Sequence, residues 1–163
     1  MAATVSLRVF TGAGAATMSA AVAGIDMISA DNALNSQANR NAFPIPAGGF
    51  SFEKWLRARV DVAPANQITN FRVWSDGDIG GGDATLWAGI TDTGATPTNA
   101  DSSVAGTDLA TRTAASKLDW DTSSVLVDVG DLSDFLVLQM EVDADAQPGD
   151  LPTETISYSF DEQ

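Results

Sequence analysis

The sequence predicts an all-β fold, a β-sandwich of jelly-roll or immunoglobulin-like type with about eight strands and long irregular loops. Three observations support this class. Apolar and polar residues alternate with period two over several short segments, as in half-buried strands. Of the 22 acidic residues, 18 are aspartate, which favours turns, and only 4 are glutamate, which favours exposed helices. The length of 163 residues fits one domain, spanning residues 1–163.

The N-terminal third contains one clear strand. Thr4–Phe10 places alternate apolar residues on one face and polar residues on the other, which predicts a strand. The alanine-rich stretch Ala15–Ala23 is a candidate for a short helix, although its loop-like flanks argue against one. Ile25–Ser29 is consistent with a short strand.

The middle of the chain contains the clearest alternation. Phe50–Val62 carries a nearly continuous apolar face that only Lys54 interrupts. Gln67–Ser75 and Ala84–Thr91 follow as two further strands, separated by an acidic, glycine-rich loop.

Three strands close the chain, at Ser123–Val129, Phe135–Val142 and Thr155–Phe160. The apolar positions of each alternating strand are predicted to form the core. A shift of the strand pairing by one residue would turn all of these side chains toward water, so the pattern fixes the register. The predicted core consists of Val5, Leu7, Val9, Phe52, Leu56, Val60, Phe71, Val73, Leu86, Ile90, Val125, Val127, Leu136, Leu138, Val142, Ile156, Tyr158 and Phe160.

Three polar segments lack useful periodicity and are predicted to be extended arms or loops of the domain, at about residues 11–24, 31–49 and 92–117. Prolines at 44 and 46 exclude a central strand there, since proline cannot donate to a ladder. Long loops in compact domains are usually functional or lie at interfaces.

Composition excludes several functions. The chain has no histidine and no cysteine, which rules out Ser-His-Asp and Cys-His catalysis and zinc sites built on those residues. Its net charge of −14 argues against nucleic-acid binding, which relies on Lys and Arg. We expect no signal peptide, because the N-terminus has neither a basic start nor a continuous apolar core, and no membrane span. The simplest interpretation is a protein that is not an enzyme and has no cofactor.

Carboxylates are the remaining candidates for chemistry. Asp76, Asp78 and Asp83 in the glycine-rich loop offer hard oxygen ligands for calcium, although the spacing is not that of an EF-hand. A second acidic group, Asp143, Asp145 and Asp150, offers the same. The alternative for both is a solvated turn. A glycosidase-like carboxylate pair is a further alternative, but the few aromatic residues lie mainly inside strands.

The outward face of the Phe50–Val62 segment is a candidate interface. It carries Trp55, Arg57 and Arg59, and exposed tryptophan with arginine is typical of interface anchors. The alternative is that a loop covers Trp55 and that the charges pair locally. Phe43 and Ile45, beside the two prolines, are candidate contacts on the arm.

Three stretches resemble small β-rich virion structural proteins of tailed bacteriophages and related viruses, often described as head-decoration or minor structural proteins. They are Ser51–Val60, Thr85–Thr91 and Gly149–Phe160. These stretches are not a motif with assigned roles, so no functional residue is carried over. The resemblance implies an oligomer on the capsid exterior, made in the host cytoplasm, whose partners are the major capsid protein or other virion proteins.

The leading hypothesis is therefore a non-enzymatic virion structural protein that decorates or cements a phage capsid. Strong negative charge suits a surface that faces away from packaged DNA. The alternatives are a tail-associated structural protein, a calcium-dependent carbohydrate-binding β-sandwich, and a hydrolase based on carboxylates.

Overall fold

Nine strands and one short helix form the structure, a computed structural model that describes residues 2–32, 35–76, 82–147, 149 and 153–163. The elements are β1 Thr4–Thr11, β2 Thr17–Val22, α1 Gln37–Ala42, β3 Lys54–Val62, β4 Ile68–Ser75, β5 Ala84–Thr91, β6 Thr107–Asp108, β7 Leu118–Asp121, β8 Phe135–Val142 and β9 Ile156–Glu162. In the part of the chain that the structure describes, single-turn 3₁₀ helices lie at Ala13–Ala15 and Leu109–Thr111. Within the described ranges, no helix is long and apolar enough to cross a membrane.

The strands form two antiparallel sheets that pack as a sandwich, which confirms the predicted class. The larger sheet has the order β2-β1-β3-β8-β5-β6, and the smaller has the order β7-β4-β9. The pairing of β5 with β8 is continuous from Ala84 opposite Val142 to Thr91 opposite Phe135. β1 and β8 flank β3, so the centre of the larger sheet is the segment with the clearest alternation.

The main core lies between the two sheets. Its buried residues include Leu56, Ala58 and Val60 from β3 and Phe71 from β4. Of the predicted core, Val9, Leu56, Val60, Phe71, Val73, Leu86, Leu136 and Leu138 are fully buried, whereas Val5, Leu7, Phe52, Ile90, Val142, Ile156, Tyr158 and Phe160 are half-buried. The prediction was wrong for Val125 and Val127, which are exposed.

Three element predictions were wrong. Ser123–Val129 is not a regular strand, and an isolated bridge joins its Leu126 to Ile68 of β4; the regular edge strand is β7, just before it. Ala15–Ala23, a candidate helix, contains β2, which pairs with β1. Ile25–Ser29 is irregular, and its Ile28 is buried.

A second apolar cluster covers the opposite face of the larger sheet. It includes Phe10, Trp55, Phe135 and Val137, with Ala105 from the loop that follows β5. Strand β8 is therefore buried on both faces from Phe135 to Met140, and β3 is buried on both faces from Lys54 to Leu56.

The three segments predicted as arms pack against the sandwich. Residues 11–24 contain β2, residues 31–49 contain α1, and part of residues 92–117 covers the outer face of the larger sheet. In the second segment the Phe43 carbonyl accepts the Ser29 N–H at 2.9 Å.

Candidate functional site

Trp55, the central residue of the predicted interface, is buried by the protein's own chain. Its exposed fraction is 1%, and its ring meets that of Phe135 edge-on with centroids 5.3 Å apart. Of the two alternatives that the sequence left open, the one in which a loop covers Trp55 is confirmed. Residues 97–105 cover this face, so Trp55 is not available to a partner in this conformation.

Glu53 anchors that covering loop. Its carboxylate is 4% exposed and accepts the Trp55 Nε1–H at 2.9 Å and the Thr98 N–H at 3.2 Å. The Ser102 hydroxyl donates to its other oxygen. Because buried polar groups must be hydrogen-bonded, this glutamate has a structural role, holding loop and tryptophan together.

Gln139 on β8 makes a second set of contacts with the same loop. Its side-chain amide donates to the carbonyls of Ser51 at 3.1 Å and Ala100 at 2.8 Å. Its oxygen accepts the Ser102 N–H at 2.9 Å. Glu53 and Gln139 therefore hold the loop from two adjacent strands.

Arg57 and Arg59 are half-buried, and both contact their own chain. The Arg57 guanidinium lies 4.7 Å from the centroid of Phe135 and donates to the Ser133 carbonyl. Burial lowers the pKa of Arg57, although the charge of Asp134 opposes this. Arg59 forms an ion pair with Asp61 at 2.7 Å. The Arg59–Asp61 ion pair is the local charge pairing that was the alternative to an interface role. An interface role for the two arginines stays a prediction.

Lys54 is the polar residue that interrupts the apolar face of Phe50–Val62, and it is buried. It is 1% exposed, and its ammonium donates to the carbonyls of Ala30 at 3.0 Å and Asn32 at 3.1 Å. Desolvation lowers its pKa from 10.5 to about 8, although Asp31 and Asp26 act in the opposite direction. Lys54 thus binds the segment before α1 to the larger sheet.

The low pKa of Lys54 predicts a stability that rises with pH. Between about pH 8 and 10.5 the unfolded chain binds more protons at Lys54 than the folded chain does. Raising the pH through this window therefore favours the folded state, by at most about 3 kcal/mol for this group. Urea unfolding of the wild type and of Lys54→Met at pH 7 and pH 10.5 measures the effect, since other titrations are common to both proteins.

We expect the free energy of unfolding of the wild type, minus that of Lys54→Met, to increase between pH 7 and pH 10.5. A difference that stays constant with pH would contradict the buried, shifted ammonium. Lys117→Met is the control, because Lys117 is only half-buried, against the ring of Trp74.

The predicted arm contacts differ in exposure. Phe43 is 41% exposed, whereas Ile45 is half-buried and packs against the main core. Asp26 holds this segment, because its carboxylate accepts the Ser36 N–H at 2.6 Å and pairs with Arg40 at 2.7 Å.

The predicted calcium ligands are only partly described. Asp76 and Asp83 are exposed, and Asp78 lies outside the described residues. The Asp83 carbonyl accepts the Asp143 N–H at 3.0 Å, so the two acidic loops are neighbours. Among the described residues, no three carboxylates converge on a point that could hold a metal ion.

A row of exposed valines was not predicted. Val125, Val127 and Val129 are 54%, 43% and 59% exposed. The intervening Leu126 points into the core and exchanges both backbone hydrogen bonds with Ile68, at 2.8 and 3.0 Å. The side chain that faces the core is therefore Leu126, one residue away from the predicted core residues Val125 and Val127. We call Val125, Val127 and Val129 the valine row.

The Asp131 carboxylate lies beside the valine row. It accepts the N–H groups of Val127 at 2.8 Å and Asp128 at 2.9 Å. These hydrogen bonds, led by that from Asp128, lower the pKa of Asp131. The segment is thus held extended on both sides, by Ile68 and by Asp131.

A partly open pocket of about 930 Å³ lies beside residues of both sheets and the segments around α1. Its apolar walls come from both sheets, and segments 22–28 and 44–47 cover one end. The wall residues from the strands are Leu7, Val22, Leu56, Val73, Leu86, Trp120, Leu136, Leu138, Met140, Val142, Ile156 and Tyr158.

The comparisons with known proteins give no family assignment. The chain has no significant match among family models, curated proteins or solved structures.

Proposed function

We propose that this protein is a non-enzymatic structural protein of a virion exterior, which acts by protein–protein contacts on a capsid. The observation that supports this best is the valine row. Each of its three valines leaves about half of its surface in water, and contact with a partner would bury that apolar area. The row is short and has polar neighbours, which suits a contact with a specific protein partner.

The charges around the row indicate the chemistry of the partner. Asp128 is exposed between Val127 and Val129, Asp131 lies beside them, and the whole chain carries −14. A complementary surface has an apolar centre and a basic rim, since opposite potentials steer association and suppress wrong partners. A shell protein such as the major capsid protein would present that surface.

The buried polar groups support the non-enzymatic part of the proposal. Glu53 and Asp26 are both occupied by hydrogen bonds that hold loops. Asp121 is 2% exposed and likewise accepts backbone N–H groups, from Ser124 at 2.8 Å and Asp134 at 2.7 Å. These carboxylates are committed to the fold and are not positioned to transfer protons to a substrate.

We expect replacement of the valine row to abolish binding to virus particles. The variant is Val125→Thr, Val127→Thr and Val129→Thr combined, because threonine keeps the shape and the strand preference of valine while removing apolar contact. The purified protein is mixed with particles of the virus that encodes it and sedimented through a gradient. Separate fractions of heads and of tails distinguish the two locations.

Two controls make the result specific. Met18→Thr changes another exposed apolar side chain, far along the sequence, and should leave co-sedimentation unchanged. Phe43→Ser tests the arm contact predicted from the sequence. Failure of the wild type to bind either fraction would exclude the virion role, and normal binding of the triple variant would exclude the valine row.

A further inference from the structure

In the described part of the chain the two sheets end in four edge strands, and β2 differs from the other three. Each of β6, β7 and β9 carries at least one carboxylate, and β6 is only two residues long. Native proteins protect their edges with short strands, charged side chains and prolines, because an unprotected edge pairs with another chain. β2 has neither a charge nor a proline, and it lies within residues 9–25, the longest uncharged stretch of the chain.

The backbone of β2 offers hydrogen-bonding groups on its outer side. Val9 directs its N–H toward β2, where the Ser19 hydroxyl accepts it at 3.0 Å. Successive residues of a strand direct these groups to opposite sides, so Leu7 and its partner Val22 also bond on that side, and Ala21 directs its N–H and carbonyl away from β1. Ala21 is exposed, and among the described residues nothing hydrogen-bonds to either group. Both groups can therefore pair with an added strand.

A bulge limits how much of this edge can pair. Ser19 and Ala20 together oppose one residue of β1, so the register shifts there and the ladder is interrupted. The part that follows, residues 20–23, consists of alanines and one valine, whose small side chains let a second strand approach. An open pocket of about 580 Å³, lined by residues 19–24 and Asn35, lies along this part of the strand. The edge thus offers a short pairing of fixed register.

We propose that a second copy of this chain pairs with β2 in antiparallel orientation, about a twofold axis at Ala21. Two chains that each carry −14 repel one another over most of their surface, whereas residues 9–25 allow two strands to meet with no charge in the contact. A capsid protein with the basic rim proposed above would find no carboxylate in this stretch.

The twofold symmetry closes the assembly. Each copy supplies the same strand, and the pairing uses the open edge of both copies, so association stops at a dimer. The dimer is separate from the valine row and does not depend on the proposed virion role.

Sedimentation equilibrium of the purified full chain tests the proposal. We expect the wild type to be a dimer and Ala21→Glu to dissociate at least tenfold more readily, because the two glutamates would face each other across the axis. Within one chain the new glutamate lies opposite Arg8, a favourable cross-strand pair, so the far-UV circular dichroism should stay unchanged. Ala21→Gln is the matched control, nearly the same size without the charge, and should remain dimeric.

A proline variant keeps the test decisive if Ala21→Glu does not fold. Ala21→Pro removes the outward N–H and leaves the ladder with β1 intact, since edge strands accept proline where the N–H faces solvent. It should also dissociate at least tenfold more readily. A monomeric wild type would overturn the proposal, and so would a dimer of unchanged stability in whichever of the two variants is folded.

Cysteine substitution locates the contact, because the chain has no cysteine of its own. Residues that exchange both hydrogen bonds across an antiparallel pair have Cα atoms about 5.5 Å apart, which a disulfide can span. With diamide as the oxidant, Ala21→Cys should form disulfide-linked dimers at least tenfold faster than Val129→Cys, which places its thiol on the valine row. Equal rates, or faster linking at position 129, would overturn the assignment to β2.

Discussion

Replacement of Glu53 by alanine is expected to lower the free energy of unfolding by about 3–5 kcal/mol. The substitution leaves three donors without their acceptor, at Trp55, Thr98 and Ser102. All three belong to the covered face of the larger sheet, where water cannot replace the carboxylate without the loop moving. Urea unfolding, followed by tryptophan fluorescence, measures the loss.

Glu141 provides a matched control for Glu53. It accepts the Nε1–H of Trp87 at 2.8 Å, the same kind of hydrogen bond, but it is half-buried and solvent reaches it. Glu141→Ala should therefore cost about 1 kcal/mol, the usual net value of one such hydrogen bond. Equal losses in the two variants would contradict the structural role assigned to Glu53.

Substitution of Gly89 by alanine is expected to destabilise the protein by about 3 kcal/mol, at the upper end of overpacking costs. A Cβ at Gly89 would lie 1.9 Å from the Val104 carbonyl oxygen and 2.5 Å from its carbon, both backbone atoms. The loop over Trp55 would have to lift from β5 to admit a methyl group. Hydrogen exchange at the amides of residues 98–106 should consequently accelerate more than exchange in β4.

Gly106 is the control for that substitution. It lies on the same loop, its N–H donates to the Ala88 carbonyl at 3.1 Å, and a Cβ there would meet nothing within 4 Å. We expect Gly106→Ala to change stability by less than about 1 kcal/mol. A comparable loss at both glycines would show that close approach of the loop is not the cause.

Alternation and short apolar runs predicted the bounds of several strands well, although the strand predicted from Phe50 begins at Lys54. β5 and β8 have the predicted bounds, and β1 and β4 differ by one residue at one end. The period-two pattern could not distinguish a solvated face from one covered by a loop, so it left open whether Trp55 is exposed. The signal for burial was in the neighbouring strand, where the nearly continuous apolar run from Phe135 to Met140 indicates two buried faces.

The candidate sites were less predictable, because each depends on register or on contacts distant in sequence. In Ser123–Val129 three alternating valines outnumber one leucine, which favoured the wrong face; pairing of Leu126 with Ile68 decides the register. The pocket forms where the three-stranded sheet packs on the six-stranded sheet, beside the segments before and after α1. No local pattern encodes that arrangement.

The contacts of Asp131 occupy two backbone N–H groups along the valine row. Its carboxylate occupies the N–H groups of Val127 and Asp128, which an incoming strand would otherwise use to extend the small sheet. These two N–H groups are therefore not available to an added strand, which protects this edge of the small sheet against open-ended strand addition. Because the pKa of Asp131 is lowered, this protection against strand addition persists in mildly acidic solution and ends only when strong acid protonates the carboxylate.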